Sequence, residues 1–188
     1  DLNGYILNEE GVGLTLENKE THLGSILPKM NMGWNLGFGY KGINLGMTFT
    51  GRFGGIVLSE TQSVLNAAGV SKISADVRDA GGVPINQAKI DARNYFQTIQ
   101  TASVYYTYSA TNVRLGELSL SYTLPKKWFA NKLGMTVGLV GKNLWMIYCK
   151  APFDPELTTS AASNFYQGFD AYMLPSTRNF GFNVKFQF

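Results

Sequence analysis

Gly37-Phe38-Gly39-Tyr40-Lys41-Gly42 spells G-x-G-x-x-G, the spacing with which a glycine-rich turn brings backbone amides against a dinucleotide pyrophosphate. That chemistry needs a helix to open directly after the glycines. Here an alternating run follows, so the glycines read as small residues on one strand face plus one turn residue. Asp154 and Glu156 place two carboxylates close together, the raw material of acid–base catalysis, yet no nucleophile or base stands beside them. Cys149 is the single cysteine and His22 the single histidine. No disulfide can form within the chain, and Cys149, with no histidine near it, reads as an inert thiol. No catalytic, cofactor-binding or metal-ligating set emerges, and the chain is not expected to be an enzyme.

The elements around these residues are clearer than any site. From Met30 to Tyr40 the even positions are Met, Met, Trp, Leu, Phe and Tyr, and the odd positions are Asn and Gly. One large apolar face and one small polar face at period two define a strand. Ile43, Leu45, Met47 and Phe49 alternate with Asn44, Gly46, Thr48, Thr50 and Arg52. A two-residue Lys41-Gly42 loop would pair Tyr40 with Ile43, Phe38 with Leu45 and Leu36 with Met47, every pair on the apolar face. Gly42 can supply the positive φ of such a turn. A third run carries Leu118, Leu120, Tyr122 and Leu124 against Glu117, Ser119, Ser121 and Thr123. Val113 and Leu115 lie out of phase with it, which predicts a bulge near Gly116. A fourth run starts at Leu133 and slips phase near Val140. The fifth is Phe180, Phe182, Val184, Phe186 and Phe188, alternating with Asn179, Gly181, Asn183, Lys185 and Gln187.

Connections alternate between short (Lys41-Gly42, Pro125 to Lys132) and long (1–29, about 54–110, about 148–176), the plan of an outer-membrane barrel. In the long middle connection, Ser59 and Gln62 form a capping box with Gly69 as a stop, and Asn86 to Gln97 is a second short helix. Charged residues make up only 15% and aromatics 13%, and mean hydropathy is near zero. The net charge of +3 is scattered and points to no nucleic acid. A soluble antiparallel sandwich also alternates. Apolar faces that stay aromatic to the strand ends, runs of about ten residues, and opposite faces of Gly, Ser, Thr and Asn favour a membrane barrel. Tyr40, Tyr122, Trp128, Phe129 and Phe188 near the short turns resemble an interfacial girdle. Five strands cannot close around a lumen, so further strands are expected outside this sequence.

The stretches VRLGELSLSYTLPKKW (Val113 to Trp128), GKNLWMI (Gly141 to Ile147), FDPEL (Phe153 to Leu157) and LPSTRNFGFNVKFQF (Leu174 to Phe188) occur in that order after the hairpin of Leu23 to Gly55. In this the chain resembles the C-terminal end of the SusC/RagA-type TonB-dependent outer-membrane transporters of Bacteroidetes. The resemblance covers nearly the whole sequence. It implies an all-β fold, an antiparallel transmembrane barrel of about 22 strands around a plug, with this chain as the last five strands. The chain would begin mid-protein, with the plug and the TonB-contacting segment outside it. The C-terminus and short turns would be periplasmic and the long loops extracellular. The function implied is TonB-dependent uptake of a glycan or oligopeptide beneath a SusD-like surface lipoprotein. Phe188, in phase with Phe186 and Val184, resembles the signal read by the barrel-assembly machinery. Asp154 and Glu156 become part of a structural loop motif. Asn44, Thr48, Thr50, Arg52, Ser119, Ser121 and Thr123 would face the lumen, bonding the plug in preference to solute. Asp1-Leu2-Asn3-Gly4 departs from the acidic loop common in the family, so no cation site is carried over. The competing class is a structural or adhesive barrel without transport.

Overall fold

The structure, a computed structural model, describes residues 22–85, 88–129, 133–157 and 167–187. Phe188 and the segment Asp1 to Gly4 lie outside the described residues. The chain divides into two compact units, one holding residues 27–55, 109–157 and 174–188, the other 1–26, 56–108 and 158–173.

The first unit is a five-stranded antiparallel meander. Its strands are β1 (Met30–Tyr40), β2 (Ile43–Phe53), β7 (Asn112–Leu124), β8 (Gly134–Cys149) and β10 (Asn179–Gln187), in the order β1-β2-β7-β8-β10. The β1–β2 register pairs Tyr40 with Ile43, Phe38 with Leu45 and Leu36 with Met47, as the alternation requires. Both turn residues adopt positive φ, Lys41 at 45° and Gly42 at 86°, the geometry of a type I′ hairpin. The registers place Phe38, Leu45, Leu120, Leu139 and Phe182 in one row across all five strands. The next row, on the other face, is Gly39, Asn44, Ser121, Gly138 and Asn183. The apolar rows stay open, with Phe38 59% and Phe182 66% exposed. No helix among the described residues is long and apolar enough to cross a membrane.

The bulge expected near Gly116 is present. Thr48 pairs with Glu117 and Phe49 with Leu115, so Gly116 is skipped and Leu115 returns to the apolar face. The slip expected near Val140 falls elsewhere. β8 runs in unbroken register with β10 through Lys142; against β7 one break lies between Met146 and Tyr148 and a second between Lys142 and Trp145. Asn143, with φ 52°, sits in the second break. Val140 only looks out of phase: it stands on the polar face between Ser119 and Gly181, two small residues that make room for it.

The second unit fills the long connections. It holds β3 (Ile56–Ser59), α1 (Glu60–Ala67), α2 (Lys72–Asp79), β4 (Val83–Ile85), β5 (Ala88–Ile90), α3 (Ala92–Thr98), most of β6 (Thr107–Ser109) and β9 (Phe169–Asp170). Val77, Val83, Ala92, Tyr95, Phe96, Ile99 and Tyr106 form its core, and Tyr95 meets Phe96 edge to face at 5.1 Å. Ser59 caps α1 by accepting from the Gln62 amide at 3.0 Å, and Gly69 follows at φ 75°. The Gln62 side chain does not return to the cap; it donates to Asn66 Oδ1 at 2.9 Å. The helix expected over Asn86 to Gln97 is corrected to α3 alone, capped by Asp91, because Ala88–Ile90 pairs with Val83–Ile85 as a hairpin. Helix α2 was not foreseen. Its buried residues are Ser74 and Val77, too few to print an apolar period in the sequence.

Candidate functional site

The polar face of the five-stranded sheet collects the residues singled out above. Asn44 opposes Gly39 on one side and Ser121 on the other. Ser119 opposes Gly46 and Val140. Thr48 lies between Asn35 and Glu117, and its hydroxyl donates to Asn35 Oδ1 at 2.9 Å. Thr123 faces Thr136, their hydroxyls 3.1 Å apart. Thr50 opposes Gly33 and Arg114, and Arg52 opposes Asn31 and Asn112. A concavity of about 410 Å³ is lined by Asn31, Met32, Thr50, Gly51, Arg52 and Glu156.

The strongest polar cluster on this face was not predicted. Arg114 is only 9% exposed. Its Nη1 and Nη2 donate to Asp154 Oδ2 and Oδ1 at 3.0 and 2.7 Å, a two-pronged carboxylate grip. Its Nε and Nη2 also donate to Asn112 Oδ1, each at 3.3 Å. Glu156 Oε2 stands 3.4 Å from Nη2. The Glu156 amide closes the turn by donating to Asp154 Oδ1 at 3.0 Å. Burial pushes the Asp154 carboxyl up, but the hydrogen bond and charge of Arg114 outweigh it and hold the group below the usual carboxylate range. The pair therefore stays ionised and fixes the Phe153–Leu157 turn against β7. Both carboxylate oxygens of Asp154 are engaged by Arg114, and one also by the turn's own amide, so the motif is a clasp. The sequence carried half a signal for it: an arginine inside a strand run, which needs a carboxylate partner once it is buried. Cys149, at the end of β8, donates to the carbonyls of Ala151 and Phe153 at 3.4 and 3.6 Å.

No protein-family model matches the chain. A TonB-dependent receptor, P3, of Formosa agariphila is 31% identical over 173 residues, which cover 87% of this chain and 17% of that receptor. The RagAB peptide importer in its closed-closed state superposes with a TM-score of 0.54 at 20% identity, over 77% of this chain and 17% of that one. The RagAB peptide transporter superposes with a TM-score of 0.53, also at 20% identity, over 76% of this chain and 18% of the other. In sequence the chain is similar to part of a TonB-dependent receptor, and in fold to part of RagAB. Its SusC/RagA-type resemblance in sequence and the RagAB likeness in fold agree. The antiparallel strands have the fold of a transmembrane barrel wall. The chain spans about a sixth of the length of the curated relative it matches, 17%.

Proposed function

We propose that this chain supplies the last five strands of an outer-membrane importer, driven through TonB, that carries a glycan or an oligopeptide beneath a SusD-like surface lipoprotein. The observation that supports the reading most is the five-strand meander itself. Its rows are apolar on one face and Gly, Ser, Thr and Asn on the other, in a chain related to a TonB-dependent receptor. On this reading the polar face lines the lumen. Asn44, Thr48, Thr50, Arg52, Ser119 and Ser121 meet the plug, and solute only where the plug leaves them open. The plug and the TonB-contacting segment belong to the rest of the same protein. The C-terminus is periplasmic, and Phe188 serves as the assembly signal. RagAB is described as a peptide importer, so a peptide solute stands beside a glycan.

The test is growth. A strain lacking the parent gene, and one in which only the TonB-contacting segment is removed, are grown on oligopeptides and on oligosaccharides as sole nutrient. Loss on one class in both strains supports import and names the class. An open reading frame with no plug-encoding sequence before these strands, or growth unchanged in both strains, sinks it and favours a structural or adhesive barrel.

A further inference from the structure

The helical unit contains a cavity of about 380 Å³ between the end of α1, the face of α2 and the start of α3. Its volume lies in the range of small-molecule pockets. Ala92 and Phe96, both buried, form an apolar floor. The buried polar groups that reach it are already satisfied. Asn66 accepts from Gln62 at 2.9 Å, and Ser74 donates to the Ser71 carbonyl at 2.8 Å. Asp91 also lines the cavity, but its carboxylate accepts from the α3 amides of Arg93 and Asn94 at 3.1 and 3.3 Å.

Two guanidinium groups, Arg78 and Arg93, remain on the rim. Arg78 reaches the Gly69 carbonyl at 3.4 Å, a long contact that uses one of its five donors. Neither arginine forms an ion pair among the described residues, where ion pairs involve Arg114 and Lys142. With Asp91 the one carboxylate in the lining, the two guanidinium groups leave a net positive charge beside an apolar hollow, which a neutral ligand leaves unmatched. A carboxylate matches it, because a planar guanidinium grips two carboxylate oxygens at once.

We propose that this cavity binds a carboxylate of the incoming solute, with Arg78 and Arg93 as its ligands and Phe96 and Ala92 under the attached carbon skeleton. The proposal rests on the importer reading. A uronate ring and an acidic peptide present the same group, so the experiment separates them. The full-length parent receptor, purified in detergent, is titrated calorimetrically with trigalacturonate, with triglutamate and with neutral maltotriose. One acidic trimer should bind, maltotriose should not, and the Arg78→Gln/Arg93→Gln protein should lose about tenfold or more in affinity for the acid. Lys72→Gln removes a charge outside the cavity and should leave binding unchanged. Binding of trigalacturonate alone names a glycan, and of triglutamate alone a peptide. The proposal is overturned if neither acid binds, if the double variant binds as the parent does, or if Lys72→Gln weakens binding equally. Growth of the same strains is scored in parallel. Uptake that persists with an indifferent cavity removes the subsite and leaves the importer, whereas parent uptake that needs no TonB removes the importer reading itself.

Discussion

At the scale of single residues, the Arg114–Asp154 pair is the contact whose loss should cost most. Both side chains are largely out of solvent, 11% and 7% exposed. Breaking such a pair strands a buried charge, a loss of about 3–5 kcal/mol. Asp154→Asn keeps the shape and removes the charge. It should lower the urea midpoint of the folded parent barrel and expose the Phe153–Leu157 turn to protease; an unchanged midpoint would show that Glu156 takes over the guanidinium. Acid should do the same more gently. The folded carboxyl lies below its unfolded value, so its contribution is complete above the ordinary carboxylate range and is lost as pH falls through the lowered value. Tyr106 works at the other end of the scale. Burial pushes its phenol up to about 12 from 10.0. The unfolded chain then releases that proton first, and the helical unit should lose stability as pH rises from about 10 toward 12. Phenolate absorbance during an alkaline titration checks this; ionisation of every tyrosine near 10 with helix intact would contradict the packing. The Arg114 clasp was half legible, since FDPEL stood out as a motif. Its partner did not, because Arg114 sits where the strand phase is reset by Gly116, and alternation alone could not say which face it takes.

At the scale of elements, the strands were readable because one large apolar residue at every second position leaves a strand no alternative register. What hid was the place where alternation breaks. A valine on the polar face mimics a slip when glycine opposite admits it, as Gly181 does for Val140, while the real break at Asn143 is a positive-φ residue with little apolar signature. The helices of the long connection were legible in part: the Ser59 cap announced α1, the helix expected over Asn86 to Gln97 held most of α3 without its Asp91 cap, and Ser71, which caps α2, went unseen. The β1–β2 turn gives a sharp test. A Cβ added to Gly42 would lie 2.8 Å from the Thr123 carbonyl oxygen, at a φ of 86° that side chains avoid. Gly42→Ala should therefore destabilise the hairpin by about 1–2 kcal/mol or more. A Cβ at Gly37 meets nothing within 4 Å, so Gly37→Ala should stay within about 0.5 kcal/mol of the parent. The temperature that converts the folded gel band to the unfolded one ranks the two; equal shifts would contradict the turn geometry. The faces can be tested on the same strand. Cysteine at Leu36 should react with a lipid-soluble reagent and cysteine at Asn35 should not, and the reverse pattern would invert the wall. Lysine at Leu36 should cost about 2–4 kcal/mol if that position lies near the bilayer midplane.

At the scale of the whole molecule, the same rows that make the strands legible leave the sheet with an open apolar face and two open edges among the described residues. Strands β1 and β10 end the sheet order, so among the described residues each has one edge without a strand beside it. A row of open amides and carbonyls cannot face hydrocarbon, and in water it invites a second copy. The apolar face compounds this. Trp34, Leu36, Phe38, Tyr40, Leu139, Phe180 and Phe182 are all exposed, and each large side chain gains roughly 1.5–3 kcal/mol on leaving water. Summed over these side chains, that drive is of the same order as the roughly 5–15 kcal/mol by which a typical domain is stable, so a soluble monomer would lower its free energy by associating. Expressed alone, the 20.7 kDa chain should therefore aggregate in buffer or need detergent. Co-expression with the preceding strands of its parent should instead return it to the outer-membrane fraction, with cysteines placed at Asn35 and Asn183 protected by new strand neighbours. Sedimentation of the isolated chain in detergent-free buffer decides the matter. A monodisperse monomer there would mean that the apolar rows are covered from within, and a soluble antiparallel sandwich would replace the barrel wall.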